Sequence, residues 1–320
     1  MKPSTQLVVD VLAGSLSPER DVSLRSGRRV ADSLRQLGVS VVERDLDAST
    51  LDSWRRSAGD CVVPLVHGAA GEDGALATLL EVLDLPFVGS TSAACRLAFD
   101  KAVAKAHLRA HGIATPDFVA LPQTVFRELG ASELLDSVVD HLGLPLVVKP
   151  TRGGSAMGVS LVERPEQLPA AMMAAFAYSD TVLMEHFVAG TELAICMLQD
   201  GEGLRALPSI SIDPPGRLYD YDARYTAGLT QFTCPAALPE ERLTNAVDTA
   251  LAAHRVFGLR DWSRADLIVD GEGRPWLLEV NAAPGMTETS LYPQALVAAG
   301  LDLGRTVLSL VQQATERNPG

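Results

Sequence analysis

Cysteine, positive charge and long apolar runs are all scarce in this chain. Its four cysteines are widely spaced in 320 residues, which favours reduced thiols in the cytoplasm over a disulfide framework. A charged residue interrupts each apolar stretch within about ten positions, so none is long enough to span a bilayer. Lys and Arg number 27 against 40 Asp and Glu, and the net charge of −13 argues against nucleic acid or a membrane surface as a partner.

What the chain does contain is typical of a globular protein. A hydrophobic content of 47% with 21% charged residues suits two or three packed units in a chain of this length. The apolar start is interrupted by Asp10, which predicts a first β-strand rather than a secretory signal. The negative net charge does not exclude a phosphate ligand, because such a site needs only a few local cations and backbone N–H groups.

Predicted strands and helices alternate in the first third of the chain, which indicates a parallel sheet covered by helices. The predicted strands are 6–12, 40–45, 60–66 and 86–88, and the predicted helices are 22–37 and 75–83. A helix is predicted over 100–111, and an antiparallel pair over 144–150 and 159–162. Further strands are predicted at 182–185 and 192–198, and helices at 240–257 and 301–316. The expected fold class is therefore α/β.

The segment 262–287 carries the clearest chemical signal. Two short apolar runs joined by a Gly-containing turn predict a hairpin, which would bring Asp266 and Glu279 side by side, with Asn281 close by. Two carboxylates and an amide oxygen suit Mg²⁺. The alternative is a hairpin with solvated acids at its ends, and the nearby Arg264 and the turn at Pro284–Gly285 argue against it.

The loop 149–158 is rich in glycine and lies between two predicted strands. Its glycines would let the backbone approach an anion, and Lys149 would add a positive charge. The loop matches neither a Walker A nor a Rossmann pattern, and taken alone it is equally consistent with a plain hairpin loop. His67 follows a predicted parallel strand directly, at the sheet edge where ligands bind in open α/β folds, although a lone histidine there is more often structural.

These segments together resemble the D-alanine–D-alanine ligases, a family of the ATP-grasp superfamily. The final motif is similar to R-x-D…L-L-E-x-N-x-x-P-G-M-T, the loop to K-P-x-x-G-G-S-S-x-G, and the stretch after His67 to H-G-x-x-G-E-D-G. Motifs in the same order extend from about residue 12 to 293. The resemblance implies an N-terminal parallel-sheet domain (1–89) followed by a central (90–184) and a C-terminal (185–320) ATP-grasp domain, with ATP held between the last two.

The resemblance also implies site residues. Glu19 would bind the ammonium of the first amino acid, Tyr225 on a mobile loop would link Glu19 to Ser155, and Arg264 with the Gly285 N–H would meet the oxyanion. The implied ATP contacts are Lys101, Lys149, Glu185, Phe187, Val188, Glu192 and Arg224. The implied substrate contacts are His67, Ser290 and Leu291, and the implied metal ligands are Asp266, Glu279 and Asn281.

The implied activity is the ATP-dependent ligation of two D-alanines through an acyl phosphate, for peptidoglycan precursor synthesis in the cytoplasm. Two Mg²⁺ ions, replaceable by Mn²⁺, and a homodimer are expected with it. Ala13, Ala156 and Arg224 depart from the family pattern, which leaves open a ligase for other amino acids. Two further alternatives are a nucleotide-binding protein without ligase activity and a carboxylase-type enzyme of the same superfamily. Intact metal-ligand positions disfavour the first, and the lack of a carrier domain disfavours the second.

Overall fold

The computed structural model describes residues 7–226 and 228–317, except for the side chain of residue 225. The first sheet is parallel, with strand order β2-β1-β3. Its strands are β1 (Val8–Ala13), β2 (Ser40–Asp45) and β3 (Cys61–Pro64), and its helices are α1 (Arg20–Gln36), α2 (Thr50–Ser57), α3 (Ala69–Glu72) and α4 (Ala75–Val82). The predicted alternation is confirmed. The predicted strand at 86–88 is wrong, because this segment makes only one isolated bridge, between Val62 and Phe87.

The second sheet is antiparallel, with strand order β4-β7-β5-β6. Its strands are β4 (Phe118–Pro122), β5 (Leu146–Pro150), β6 (Ser160–Val162) and β7 (Thr181–His186). The helices of this part of the chain are α5 (Ser92–Phe99), α6 (Lys101–Ala110), α7 (Gln123–Leu129), α8 (Ala131–Leu142) and α9 (Leu168–Phe176). The Gly-rich loop is therefore the connection between the paired strands β5 and β6.

The third sheet has the order β11-β10-β8-β12-β13, with β9 paired to β8. Its strands are β8 (Gly190–Asp200), β9 (Gly203–Ala206), β10 (Ile210–Asp213), β11 (Gln231–Thr233), β12 (Trp262–Asp270) and β13 (Pro275–Asn281). The remaining helices are α10 (Tyr221–Tyr225), α11 (Glu240–Val256), α12 (Leu291–Ala298) and α13 (Leu303–Glu316). Only residues 187–189 separate β7 from β8, so this short segment crosses from the second sheet to the third.

The core joins the two ends of the chain. Val307 and Leu310 of α13 are buried in one cluster with Val9 of β1 and Leu34 of α1. The predicted divisions 1–89, 90–184 and 185–320 place one sheet in each part, apart from the last residues of β7, and these boundaries remain predictions. Among the described residues no single helix is long and apolar enough to cross a membrane, although the bent pair α12–α13 meets that test when taken together.

Candidate active site

Two adjoining cavities lie between the three sheets, one of about 470 Å³ and one of about 110 Å³. The residues predicted as site residues that line the larger one are Glu19, His67, Lys101, Ser155, Arg224, Arg264, Glu279, Asn281, Gly285, Ser290 and Leu291. Those that line the smaller one are Lys101, Lys149, Glu185, Phe187, Val188, Glu192, Arg224, Asp266 and Glu279. Tyr225 ends α10, but its side chain lies outside the described part. The two cavities thus meet at Lys101, Arg224 and Glu279.

The hairpin of β12 and β13 places the predicted metal ligands. Asp266 is directly opposite Glu279, as the sequence predicted. Arg264 is opposite Asn281, and the register shifts after Asp266. Such an irregularity alters the direction of nearby side chains and is common beside active sites. Arg264 lines the larger cavity and Asp266 the smaller one, so this hairpin forms part of the wall of both.

Each predicted metal ligand has a partner within the protein. Arg264 donates two hydrogen bonds of 2.7 Å from Nε and Nη2 to the carboxylate oxygens of Asp266, and both side chains are buried. The Nζ of Lys101 lies 3.2 Å from Oε2 of Glu279, and Oδ1 of Asn281 accepts the Ala283 N–H at 2.8 Å. Burial alone would raise the pKa of Glu279, but the surrounding cations, with Lys101 first, lower it to about 2.

The donor set nevertheless fits a hard divalent cation. Burial, reinforced by the charges of Asp266 and Glu279, raises the pKa of Glu192 to about 8. No three His, Cys, Asp or Glu side chains of the described residues enclose a metal ion by themselves. Mg²⁺ does not require such a cage, because it commonly binds one or two carboxylates and completes its shell with water and substrate phosphate.

The smaller cavity contains a buried charge cluster. The Nζ of Lys149 hydrogen-bonds Oε1 of Glu185, and the Nζ of Lys105 lies 2.8 Å from Oε2 while donating to the Thr115 hydroxyl. Burial would raise the pKa of Glu185, but the two lysines lower it overall, and burial lowers the pKa of Lys105 to about 8. Lys149, predicted to face phosphate, thus neutralises Glu185 here.

Lys105, the buried partner of Glu185, is a residue that the sequence interpretation did not identify. It lies four positions after Lys101 and so falls on the same face of α6, but this spacing alone does not indicate its partner. The side chain of Asp100 accepts hydrogen bonds from the N–H groups of Ala102 and Val103, so it caps this helix. The cap fixes the helix start and thereby directs Lys101 to the cavity and Lys105 to Glu185.

Glu19, at the start of α1, accepts a hydrogen bond from the hydroxyl of Ser155 in the Gly-rich loop. Burial and the charge of Glu72 raise the pKa of Glu19, and this exceeds the lowering effect of Ser155 and His67. Gly154 permits the approach of the loop, because a Cβ there would lie 3.1 Å from Oε1 of Glu19. This contact therefore joins the start of α1, which covers the first sheet, to the loop between β5 and β6 of the second sheet.

His67 follows β3 and is buried against α1. Its Nε2 lies 3.3 Å from the hydroxyl of Ser26, which also accepts the Met286 N–H at 3.0 Å. Gly285 needs its small size, because a Cβ there would lie 2.9 Å from the hydroxyl of Ser290. The structure thus brings His67, Gly285 and Ser290 to one end of the larger cavity, although His67 lies more than 200 positions before the other two.

Known proteins resemble this chain over almost its whole length. A family model described as "D-ala D-ala ligase C-terminus" matches residues 107–312. A D-alanine–D-alanine ligase of Bordetella petrii is 40% identical over 96% of this chain and 91% of its own length. One of Desulforudis audaxviator is 41% identical, with 97% and 99% covered. The chain belongs to the D-alanine–D-alanine ligase family.

Solved structures of this family have the same fold. A D-alanine–D-alanine ligase from Bacillus anthracis superimposes with a TM-score of 0.83 at 30% identity, covering 96% of this chain and 97% of that one. The structure of that ligase complexed with ATP gives 0.82 at 28% identity, with 98% of each chain covered. The predicted ATP-grasp fold is confirmed, and ATP is a ligand of a close structural relative.

Two departures from the family's motifs lie at the smaller cavity. Ala156 replaces the second serine of the loop pattern and has a φ of +56°, the left-handed region that alanine rarely adopts. Arg224 replaces the lysine of the loop motif, and its guanidinium lies 4.6 Å from the ring centroid of Tyr219. Its Nε is buried with no hydrogen-bond partner among the described residues. The cation is therefore held on an aromatic face where the two cavities join.

Proposed function

We propose that this protein is an ADP-forming ligase that joins two D-alanines into D-alanyl-D-alanine, a peptidoglycan precursor. The observation that carries the proposal is the junction of the two cavities at Lys101, Arg224 and Glu279. The smaller cavity is lined by the groups expected around a nucleotide, and the larger cavity by those expected around amino acids. The family membership of the chain supports this division of the site.

The reaction requires activation of a carboxylate, because its charge repels nucleophiles and oxide is a poor leaving group. The carboxylate oxygen of the first D-alanine attacks the γ-phosphorus of ATP, forming an acyl phosphate and releasing ADP. The amine of the second D-alanine then attacks the carbonyl carbon. Collapse of the tetrahedral intermediate releases phosphate and leaves the peptide bond, with the amine protons passing to solvent.

The larger cavity supplies groups for the amino acids. Glu19 anchors the ammonium of the first D-alanine, beside Ser155 and with His67 as a further substrate contact. Arg264 and the Gly285 N–H stabilise the oxyanion, and donors of this kind act most strongly in a site from which water is excluded. Ser290 and Leu291 lie at the start of α12, where N–H groups attract the carboxylate of the second D-alanine.

The smaller cavity supplies groups for ATP. Phe187 and Val188, on the crossover between the second and third sheets, contact adenine, and Glu192 accepts hydrogen bonds from the ribose. The phosphate contacts come from Lys101, Lys149, Arg224 and the N–H groups of the Gly-rich loop. Lys149 must then leave Glu185, which stays neutralised because Lys105 remains beside it.

Asp266, Glu279 and Asn281 would hold Mg²⁺, in one or two ions, and Mn²⁺ could replace it. When bound, Mg²⁺ neutralises the charge of the β- and γ-phosphates. Arg264 and Lys101, which balance Asp266 and Glu279 in this structure, are then free to bind substrate oxygens. The chain's own cations thus occupy the acidic site until substrate arrives.

We further propose the three-domain division at residues 89 and 184, with the loop around Tyr225 closing over the site. A homodimer in the cytoplasm, without nucleic-acid or membrane partners, fits the acidic composition and the family.

The test is a substrate panel. The protein is incubated with ATP, Mg²⁺ and single or paired amino acids, and released phosphate is measured while products are identified by mass. D-alanine alone should give D-alanyl-D-alanine, with peptide formation increasing from pH 6 to 8 as the acceptor amine loses its proton. D-lactate should be a poor acceptor throughout. Equal use of D-lactate and D-alanine at pH 6 would refute the dipeptide assignment.

A second candidate is a ligase of the same mechanism that acts on other amino acids. Ala13, Ala156 and Arg224 favour it, because each departs from the family's pattern and the last two line the smaller cavity. The same panel distinguishes the two candidates: phosphate release with a different amino-acid pair, and none with D-alanine, would select the second.

A further inference from the structure

One face of α1 connects loops from distant parts of the chain. Ser23, Ser26 and Arg29 lie three positions apart, so they project from the same side of the helix. The hydroxyl of Ser23 accepts the Gly14 N–H at 2.8 Å and donates to the Leu65 carbonyl at 2.6 Å. These bonds tie the helix to the loops that follow β1 and β3.

Ser26 and Arg29 extend this connection to the loop after β13. The Met286 N–H donates to the Ser26 hydroxyl at 3.0 Å, and Nη1 of Arg29 donates to the Thr287 carbonyl at 2.5 Å and to the Met286 carbonyl at 3.3 Å. This loop contains Gly285, the proposed oxyanion donor. Its conformation therefore depends on two side chains of a helix more than 250 positions earlier in the chain.

The hydroxyl proton of Ser26 determines a second contact. Because Met286 already donates to its oxygen, the hydroxyl can still donate its own proton. Within residues 7–226 and 228–317 the acceptor at hand is Nε2 of His67, at 3.3 Å. Ser26 is fully buried and His67 nearly so, which limits the competition of water for this bond. Nε2 must then carry a lone pair rather than a proton.

The other nitrogen of His67 leads to the same conclusion. Its Nδ1 lies 3.8 Å from Oε1 of Glu72, and that oxygen also accepts the Gly68 N–H at 3.1 Å. An ionised carboxylate can only accept hydrogen bonds. A proton on Nδ1 therefore faces an acceptor, whereas a proton on Nε2 would compete with that of Ser26.

We propose that Ser26 is a positioning residue: it holds His67 in the Nδ1–H tautomer and ties the ring to the loop that carries Gly285. His67 is therefore not free to act as a base at Nε2, and its role is to fix geometry. A Cβ at Gly285 would lie 4.0 Å from this Nε2, so one hydroxyl links groups on both sides of the proposed acceptor subsite. The catalytic consequence rests on the proposed function, but the tautomer does not.

The first test is the tautomer of the full-length wild-type protein. After labelling with ¹⁵N-histidine, long-range ¹H–¹⁵N spectra distinguish a protonated from an unprotonated ring nitrogen, and the loss of signals in His67→Gln assigns the residue. The expected result is a protonated Nδ1 and an unprotonated Nε2. A protonated Nε2 in the wild-type protein would overturn the proposal, and this measurement needs no folded Ser26 variant.

The second test compares Ser26→Ala with Ser23→Ala, which removes another buried hydroxyl of the same helix face. Ser26→Ala should shift the His67 nitrogen signals toward a tautomer mixture, and Ser23→Ala should not. Ser26→Ala should also raise the KM of the second amino acid about tenfold, with the KM of ATP little changed, because a displaced loop misplaces the acceptor. An unchanged His67 spectrum in Ser26→Ala would contradict the proposal.

Measuring dipeptide formation by the wild-type protein distinguishes a failure of the role of Ser26 from a failure of the proposed function. If the wild-type protein forms no dipeptide while His67 shows the expected tautomer, the proposed function fails and the structural role of Ser26 stands. If dipeptide forms but the tautomer is the opposite one, the role of Ser26 fails alone.

Discussion

The two cavities are built from different interactions. The smaller cavity is lined by charged groups that neutralise one another within the protein, whereas the amino-acid end of the larger cavity is held by hydroxyls and backbone groups. Lys149 and Lys105 pair with Glu185 beside the smaller cavity, and the pairs Lys101–Glu279 and Arg264–Asp266 lie where the two cavities adjoin. The neutral contacts involve Ser23, Ser26 and Ser290.

This difference has a physical consequence. A buried charge left without a partner costs several kcal/mol, so cations that must reach a phosphate need acidic partners before the ligand arrives. Hydroxyl and backbone contacts need no such exchange, and they hold donors in place before the reaction. We therefore expect the ATP side to rearrange its pairs on binding and the amino-acid side to be rigid beforehand.

The largest effect is expected from Glu279, because both cavities depend on it. Glu279→Gln should reduce turnover at least about a thousandfold, since loss of the charge that holds Mg²⁺ removes several kcal/mol of stabilisation. The protein should remain folded by circular dichroism. Glu272→Gln, on the exposed turn of the same hairpin, is the matched control and should retain activity. Full activity of Glu279→Gln with normal Mg²⁺ dependence would exclude the metal assignment.

Arg264 should affect both catalysis and stability. Arg264→Ala should reduce kcat by about 10²–10³, as for the loss of an oxyanion donor, with a smaller effect on the KM of ATP. It should also lower the free energy of unfolding by about 3–5 kcal/mol, because Asp266 is left buried without its partner.

The comparison for Arg264 is Arg205→Ala. Arg205 makes a similar two-bond contact with Asp200 at 2.7 and 2.8 Å, but it is partly exposed. Its loss should cost about 0–1 kcal/mol in urea denaturation, measured in parallel. Equal destabilisation by the two variants would show that burial does not determine how much these ion pairs contribute to the free energy of unfolding.

The burial of Glu192 predicts a pH dependence of stability. The pKa of Glu192 is raised from 4.5 to about 8, so between these values the unfolded chain ionises while the folded protein keeps the proton. The contribution of Glu192 to stability is therefore fully present below about pH 4.5 and is lost as the pH rises to 8. In Mg²⁺-free and ATP-free protein, Glu192→Gln should become more stable relative to wild type across this range. A constant difference in denaturation midpoints from pH 5 to 8 would contradict this.

The smallest effect is expected from Ala156. Ala156→Ser should change activity by less than about tenfold, or 1.4 kcal/mol of barrier, because backbone N–H groups of the loop would contact the phosphates with either residue. Arg224→Ala should cost much more, mainly in kcat, because a guanidinium can pair with two phosphate oxygens. Both are measured with saturating amino acids. If Arg224→Ala is close to wild type, the two departures indicate a site adapted to another substrate.

Several elements could be predicted from local sequence pattern. The β12–β13 hairpin and the facing of Asp266 and Glu279 followed from two apolar runs joined by a short turn, since pairing across a short connection leaves few registers. Helix α11 followed from its apolar spacing. The strand predicted at 86–88 failed because the segment lies beside β3 for one residue pair only, Val62 and Phe87, and the length of such a pairing is not encoded in three apolar residues.

Other features depended on contacts that no local pattern encodes. Helices α7 and α8 were not predicted, because a short helix is stabilised mainly by the surface on which it packs. Lys105 was overlooked because its importance arises from Glu185, which lies 80 positions away and reaches it only through the second sheet.

By itself, the sequence determined the family, the β12–β13 hairpin and many of the residues that line the two cavities, because motifs and hydrophobic periodicity are local properties. Only the tertiary structure decided which charges neutralise one another and how the hydroxyl of Ser26 joins His67 to the loop of Gly285. The physical reason is that hydrogen bonds and ion pairs act over a few ångströms, and the distances between residues far apart in the chain are set by the packing of the three sheets.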